Sequence, residues 1–266
     1  MKAISTITSS NFETQGSRIC EYCGTKVPIY YLKNKDKTVS QCLKCENKKL
    51  QNECQKEYEN FQKNMNKAIF KRNSLISSDI LASKFSSYKP NHPSQHEALR
   101  IAMSYAKNFD KIKEGEGEYN SILFQGSYGL GKSHLSYAIA TEVMQKGFST
   151  IFIDIPQLLQ VFRENIQTKK FSEQQIMKSI SEASLVIFDD LGAEYIKQDN
   201  GKESWAVDKL FQLFSLKTNR AKIITTNYNA KKLQDKYGDH GGRIISRMMM
   251  GTKRIAMEGN DYRIKK

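Results

Sequence analysis

The sequence predicts an α/β protein: a phosphate-loop, parallel-sheet domain preceded by a small metal-binding module and a linker helix. Three observations carry this. Four cysteines fall in two close pairs near the start. A glycine-rich turn joins an apolar run to a helical run mid-chain. From residue 120 onward, continuously apolar runs alternate with helical ones.

The cysteines come first. "CEYC" gives Cys20 and Cys23, and "CLKC" gives Cys42 and Cys45, with eighteen residues between the pairs. Each Cys-x-x-Cys turn offers two thiolates to one metal edge, and two such turns close a tetrahedron, the spacing of a zinc site. Four free thiols or redox chemistry is the plainer account. With every position taken by sulfur, such a site is structural, and a module this small depends on the metal for its stability. Cys54 is left over. Leu50, Cys54, Tyr58, Phe61, Met65 and Ile69 recur at helical spacing over residues 46–71, so Cys54 reads as one member of an apolar stripe rather than a fifth ligand. That helix either lies on the module or docks a partner helix.

Residues 71–93 are rich in Ser, Lys and Asn, with Pro90 and Pro93, and read as a linker between a 1–70 module and a 94–266 domain. Ser94 and Glu97 have capping-box spacing, which predicts a helix to about Phe109 with Leu99, Ala102, Met103 and Ala106 on its apolar face. Apolar "SILFQG", "TIFIDI", "LVIFDD" and "AKIITTN" are predicted strands, separated by helical segments. Such runs between helices imply a parallel sheet buried on both faces.

Gly126, Ser127, Tyr128, Gly129, Leu130, Gly131, Lys132 and Ser133 match G-x-x-x-x-G-K-[ST], with His134 next, at a strand-to-helix junction. Backbone N–H groups there close around phosphate, and the helix N-terminus adds positive potential. This predicts ATP binding, with Lys132 on the β- and γ-phosphates and Ser133 on Mg²⁺. Asp189 ends an apolar strand, where its carboxylate faces the phosphates and can hold Mg²⁺. For the hydrolytic base, Asp190 and Glu194 both stay open; an aspartate is one methylene shorter than the usual glutamate, which suggests slow, switch-like turnover. Asn227 ends a further strand and could orient the attacking water, or simply turn the chain. Arg243 and Arg247 share one helix face, as an arginine finger for a neighbouring subunit or as a basic surface. Arg263 is a further candidate γ-phosphate sensor.

The chain is 266 residues, 39% hydrophobic and 26% charged, with net charge +14. A globular protein with a polyanionic partner fits this balance, as does simple solubility. The start lacks the apolar core of a signal peptide and no run approaches a membrane span, so a cytoplasmic protein with no membrane partner is expected.

In their order, "GSYGLGKSH", "VIFDDLGAE", "IITTNY" and "RIISRM" resemble the DnaC/DnaI helicase loaders, a branch of AAA+ ATPases, over residues 94–266. The cysteine module resembles the N-terminal helicase-binding region of DnaI-type loaders. The resemblance implies an AAA+ ATPase domain that self-associates as a spiral, and a module that docks on a DnaB-type hexameric helicase. It further implies ATP-dependent loading of that helicase onto single-stranded DNA during replication initiation, with ATP held between Lys132 of one subunit and Arg247 of the next. DNA contacts are implied at Arg163, Lys169, Lys170, Phe171, Tyr195 and Lys197, where cations track phosphates and aromatics stack on bases. Two rivals stand beside this. One is a transposition helper ATPase of the IstB kind, which typically lacks such a module. The other is a helicase-binding protein with negligible ATP turnover, which the aspartate pair at residues 189 and 190 keeps open.

Overall fold

The computed structural model describes residues 12–168, 173–196 and 204–264. The chain divides into two compact units, Met1–Phe61 and Gln62–Lys266.

The first unit holds an antiparallel sheet of β1 (Phe12–Ile19), β2 (Lys26–Leu32) and β3 (Lys37–Val39), none of them foreseen. Between β1 and β2 lies the first cysteine turn, where Gly24 adopts φ +67°, a left-handed conformation glycine takes without strain. Helix α1 (Leu43–Asn73) begins at the second cysteine pair and crosses the division between units. Its predicted stripe is exposed at Leu50, Tyr58, Phe61 and Met65, and Cys54 is exposed as well. The side chain of Ile69 lies outside the described set. In the second unit the same helix instead buries Asn66 and Phe70, the latter against Tyr137.

The second unit is built on a five-stranded parallel sheet in the order β5 (Thr150–Asp154), β6 (Leu185–Leu191), β7 (Lys222–Thr226), β4 (Ser121–Gly126), β8 (Thr252–Met257). Strand pleat sends alternate residues to opposite faces. Ile122, Phe124, Phe152, Leu185, Ile187 and Ile223 join one core with α2 (Pro93–Lys107), α3 (Phe109–Glu114) and α4 (Lys132–Gln145). Leu123, Ile151, Ile153, Val186, Phe188 and Ile224 join another, packed by α5 (Ile155–Thr168), α6 (Glu173–Glu182), α7 (Trp205–Leu216), α8 (Ala230–Tyr237) and α9 (Gly241–Met249). Both faces are covered, which is why the strands read as unbroken apolar runs.

The segment expected as a linker packs on this unit. Leu75 pairs with β5, and Ile76, Ile80, Phe85 and Tyr88 lie on the core. Helix α2 starts differently from its capping-box expectation. The His92 ring accepts from the Ser94 N–H, Pro93 takes the first helical position, and Glu97 pairs with Arg100. The buried face is Ala98, Ile101, Ala102, Tyr105 and Ala106, while Met103 is half exposed. Among the described residues no helix is long and apolar enough to cross a membrane.

Candidate functional site

Four adjacent strands of the sheet, β5, β6, β7 and β4, end on one cleft. After β4 the phosphate loop turns through Gly129 at φ +68° and Gly131 at φ +78° into α4. Both glycines are closely approached: a Cβ on Gly129 would fall 1.7 Å from an Asp261 carboxylate oxygen, and one on Gly131 2.4 Å from the Tyr88 ring. Tyr88 also donates its hydroxyl to the Leu130 carbonyl (2.8 Å), and the Tyr262 N–H bonds the Gly129 carbonyl (3.1 Å). The loop is thus held from two sides. Leu130 contributes backbone only, since its side chain is in the core. His134 faces the 84–88 segment, 2.7 Å from the Lys84 carbonyl.

Lys132, at the start of α4, is buried. Its ammonium donates to the carbonyls of Gly126 (2.9 Å) and Ser127 (2.6 Å) and to Asn227 Oδ1 (2.7 Å). Burial lowers its pKa to about 8, against the pull of Asp190 and Asp189. Asn227 then donates through Nδ2 to Asp190 (3.1 Å), so one amide joins the ends of β4, β6 and β7.

At the end of β6 the ladder with β7 slips between Phe188 and Leu191, and Asp190 sits at φ +57°. Thr225 bridges the irregularity: its hydroxyl donates to Asp189 Oδ1 (2.7 Å) and accepts the Asp190 N–H (2.8 Å). Burial pushes the Asp189 carboxyl up to about 6, while bonds from Thr225 and Ser133 pull it down. Burial also raises Asp190. Asp189, Asp190, Asp154 and the Ser133 hydroxyl share the cleft. Oxygen donors of this kind fit a hard divalent cation such as Mg²⁺. The cleft holds about 450 Å³, within the range of small-molecule sites.

Of the residues predicted from the sequence, Tyr128, Gly129, Gly131, Lys132, Ser133, His134, Asp189, Asp190, Asn227 and Arg263 line this cleft. Glu194 does not. It is buried elsewhere, accepting from the Gly192 N–H and the Tyr237 hydroxyl. Arg243 and Arg247 lie on α9, away from the cleft lining. Arg163 lies over the Trp205 ring, 5.9 Å from its centroid, and Tyr195 is exposed. Lys169, Lys170, Phe171 and Lys197 are outside the described residues.

Sequence reasoning missed Asp154, Thr225 and the wall formed by Ser77, Asp79, Ile80 and Ser83. Asp154 had a signal: it ends "TIFID" as Asp189 ends "LVIFD". The 77–83 wall had none, because its composition is that of a loop.

In the first unit the four predicted cysteines converge, with all ligand sulfurs within 4.8 Å of one another. Cys20 and Cys45 Sγ are 3.7 Å apart, and Cys23 and Cys42 Sγ 3.5 Å. Four sulfurs about 2.3 Å from a tetrahedral Zn²⁺ would sit about 3.8 Å apart, so the cluster fits zinc. Such a group cannot ionise fully without a cation. Bonds from Thr25 lower Cys23 to about 6, while sharing protons with Cys23 pushes Cys45 up to about 12.

Residues 111–266 match the family of IstB-like ATP binding proteins. The replicative helicase loader DnaC of Escherichia coli K12 is 25% identical over 168 residues, 63% of each chain. The replicative helicase loader DnaI of Bacillus subtilis is 23% identical over 51% of this chain and 40% of its own. A putative ATP-binding protein of insertion sequence IS232, from Bacillus thuringiensis, is 30% identical over 56% of this chain and 57% of its own. The matches therefore span less than two thirds of these relatives. Crystal structures of DnaI (TM-score 0.55, 20% identity, 71% of this chain and 94% of that one) and of the DnaC helicase loader (0.54, 21%, 68% and 100%) share the fold.

Proposed function

The chain belongs to the IstB-like ATP binding protein family, and we propose that it is an ATP-dependent loader of a DnaB-type replicative helicase onto single-stranded DNA. The observation that carries the reading is the pairing of a closed four-cysteine unit with a separate ATPase unit whose cleft joins Lys132, Asp190 and Asn227. The similarity to DnaC and DnaI supports the role, and the net charge of +14 supports a nucleic-acid partner.

In this reading Lys132 and the α4 N-terminus bind the phosphates, while Ser133 and Asp189, with Asp154 beside them, would hold Mg²⁺. That ion, when bound, neutralises charge on the phosphoryl group. Asp190 takes a proton from the attacking water, and Asn227 holds both Asp190 and Lys132 in register. Arg247, reaching a neighbouring subunit, and Arg263, in its own cleft, steady the γ-phosphate. Subunits self-associate through the ATPase unit, and turnover releases the assembly. Arg163 and Tyr195, with the 169–171 and 197 positions, contact single-stranded DNA. Cys20, Cys23, Cys42 and Cys45 would hold a structural Zn²⁺, which stabilises the first unit and so the surface that docks the helicase.

A second reading, a transposition helper ATPase, is favoured by the IS232 relative and the family itself. One experiment separates the two: size-resolved mixing of the helicase with the full chain and with residues 62–266, with ATP. Co-migration of the full chain alone supports the loader. If neither binds, the helper reading takes its place.

A further inference from the structure

We propose that Glu194 is a positioning residue for ATP turnover: with Tyr237 and Lys236 it pins the turn after β6 and thereby sets Asp190. The inference rests on the reading of Asp190 as the residue at the attacking water.

Asp190 has φ +57°, a conformation that a non-glycine residue keeps only when its surroundings hold it there. On its N-terminal side the Thr225 hydroxyl takes its N–H. On its C-terminal side its carbonyl accepts from the Ala193 N–H (3.1 Å), which folds residues 190–193 into a tight turn. Glu194 closes that turn. One carboxylate oxygen accepts the Gly192 N–H (2.9 Å) and the other accepts the Tyr237 hydroxyl (2.8 Å). Lys236 adds two bonds from α8, to the carbonyls of Gly192 (2.5 Å) and Glu194 (2.7 Å). Gly192, at φ +100°, has no room for a side chain, since a Cβ would lie 2.5 Å from the Tyr228 ring. Thr225 of β7 and, after it, Tyr228, Lys236 and Tyr237 therefore converge on residues 190–194.

A buried carboxylate is costly unless its bonds compensate it. Glu194 is 2% exposed and its bonds go entirely to the turn and to α8. It does not line the cleft, and its two carboxylate oxygens are bonded to the Gly192 N–H and the Tyr237 hydroxyl. Its placement is that of an anchor.

The test compares ATP dissociation constants with saturated turnover rates in the full chain. Glu194→Gln keeps an oxygen for the Gly192 N–H and an amide that can donate to the Tyr237 oxygen, but it removes any base. It should retain turnover within about threefold of the parent. Glu194→Ala should lose about 10- to 100-fold in rate, as misplaced geometry does, with the ATP dissociation constant unchanged. Tyr237→Phe should fall in the same direction by less. Turnover in Glu194→Gln as low as in Glu194→Ala would make Glu194 the base and overturn the proposal. So would a parent rate in Glu194→Ala, or rate and affinity falling together. If Glu194→Ala does not fold, an unchanged rate in Tyr237→Phe overturns it alone. Asp190→Asn separates the underlying reading: parent-like turnover there fails the role of Asp190, whatever the Glu194 variants do.

Discussion

Arg247 places its guanidinium carbon 4.2 Å from the centroid of the Phe211 ring, so a helix α9 arginine rests on the face of a helix α7 aromatic. Phe211 also meets His240 edge-to-face, at 5.4 Å. A cation over a ring is held by the ring quadrupole. Arg247 is therefore held against α7 in the single chain, and its proposed role toward a neighbouring subunit can be tested.

Arg247→Ala should leave ATP affinity unchanged and reduce assembly-dependent turnover by about 10³-fold or more, the scale of a lost arginine finger. Steady-state rates over a range of protein concentrations check this. A parent-like rate at high concentration would remove Arg247 from the role. Phe211→Leu should show a smaller loss of the same kind.

Lys132→Ala should weaken ATP binding by roughly 10- to 100-fold, the worth of a charge-assisted bond of roughly 1.5–3 kcal/mol. Calorimetric titration of ATP reads it directly. Because Asn227 would lose its Lys132 partner, the Asp190 carboxylate should also become less constrained. Unchanged affinity would sink the cradle assignment.

Cys20→Ser should abolish stoichiometric zinc binding and unfold the first unit, leaving the melting of residues 62–266 in place. The reason is the size of the first unit's core, where, among the described residues, Cys20, Val27 and Cys42 are the buried apolar ones and the other two cysteines pack against them. Metal content by atomic emission, with two separately followed melting transitions, checks both halves. One zinc per chain retained in the variant would refute the ligand set.

What was legible in the sequence was local. The phosphate loop could be read because its glycines, lysine and serine are contiguous at a strand–helix junction. Asp189 and Asn227 were found because each closes an apolar strand. The rest depends on distant partners. Residues 71–93 read as a linker, yet isolated apolar anchors such as Ile80, Phe85 and Tyr88 pack on the core. Strand β8 was missed because "TKRIAM" carries Lys253 and Arg254; it is an edge strand buried only at Ile255 and Met257. Glu194 reads as one of two candidate bases because it is near Asp190 in sequence, but its partner Tyr237 lies 43 residues on.

Lys222 gives the last prediction, one of stability against pH. It lies fully buried in β7, its ammonium bonded to the carbonyls of Met250 (3.2 Å) and Lys217 (3.4 Å). Among the described residues no carboxylate pairs with it, and burial lowers its pKa to about 8. In the unfolded chain a lysine titrates near about 10.4. Below pH 8 both states carry the proton, and the folded state bears the full cost of the buried charge. Between about 8 and 10.4 the unfolded chain binds more protons, so this group's contribution to stability rises with pH. Lys222→Met removes that dependence. Its stability relative to the parent should therefore be most favourable near pH 7. It should become less so by pH 10, by an amount on the order of 2–3 kcal/mol. Urea unfolding of both proteins at the two pH values measures the difference of differences. A value that does not change with pH would mean that Lys222 titrates alike in the folded and unfolded chain.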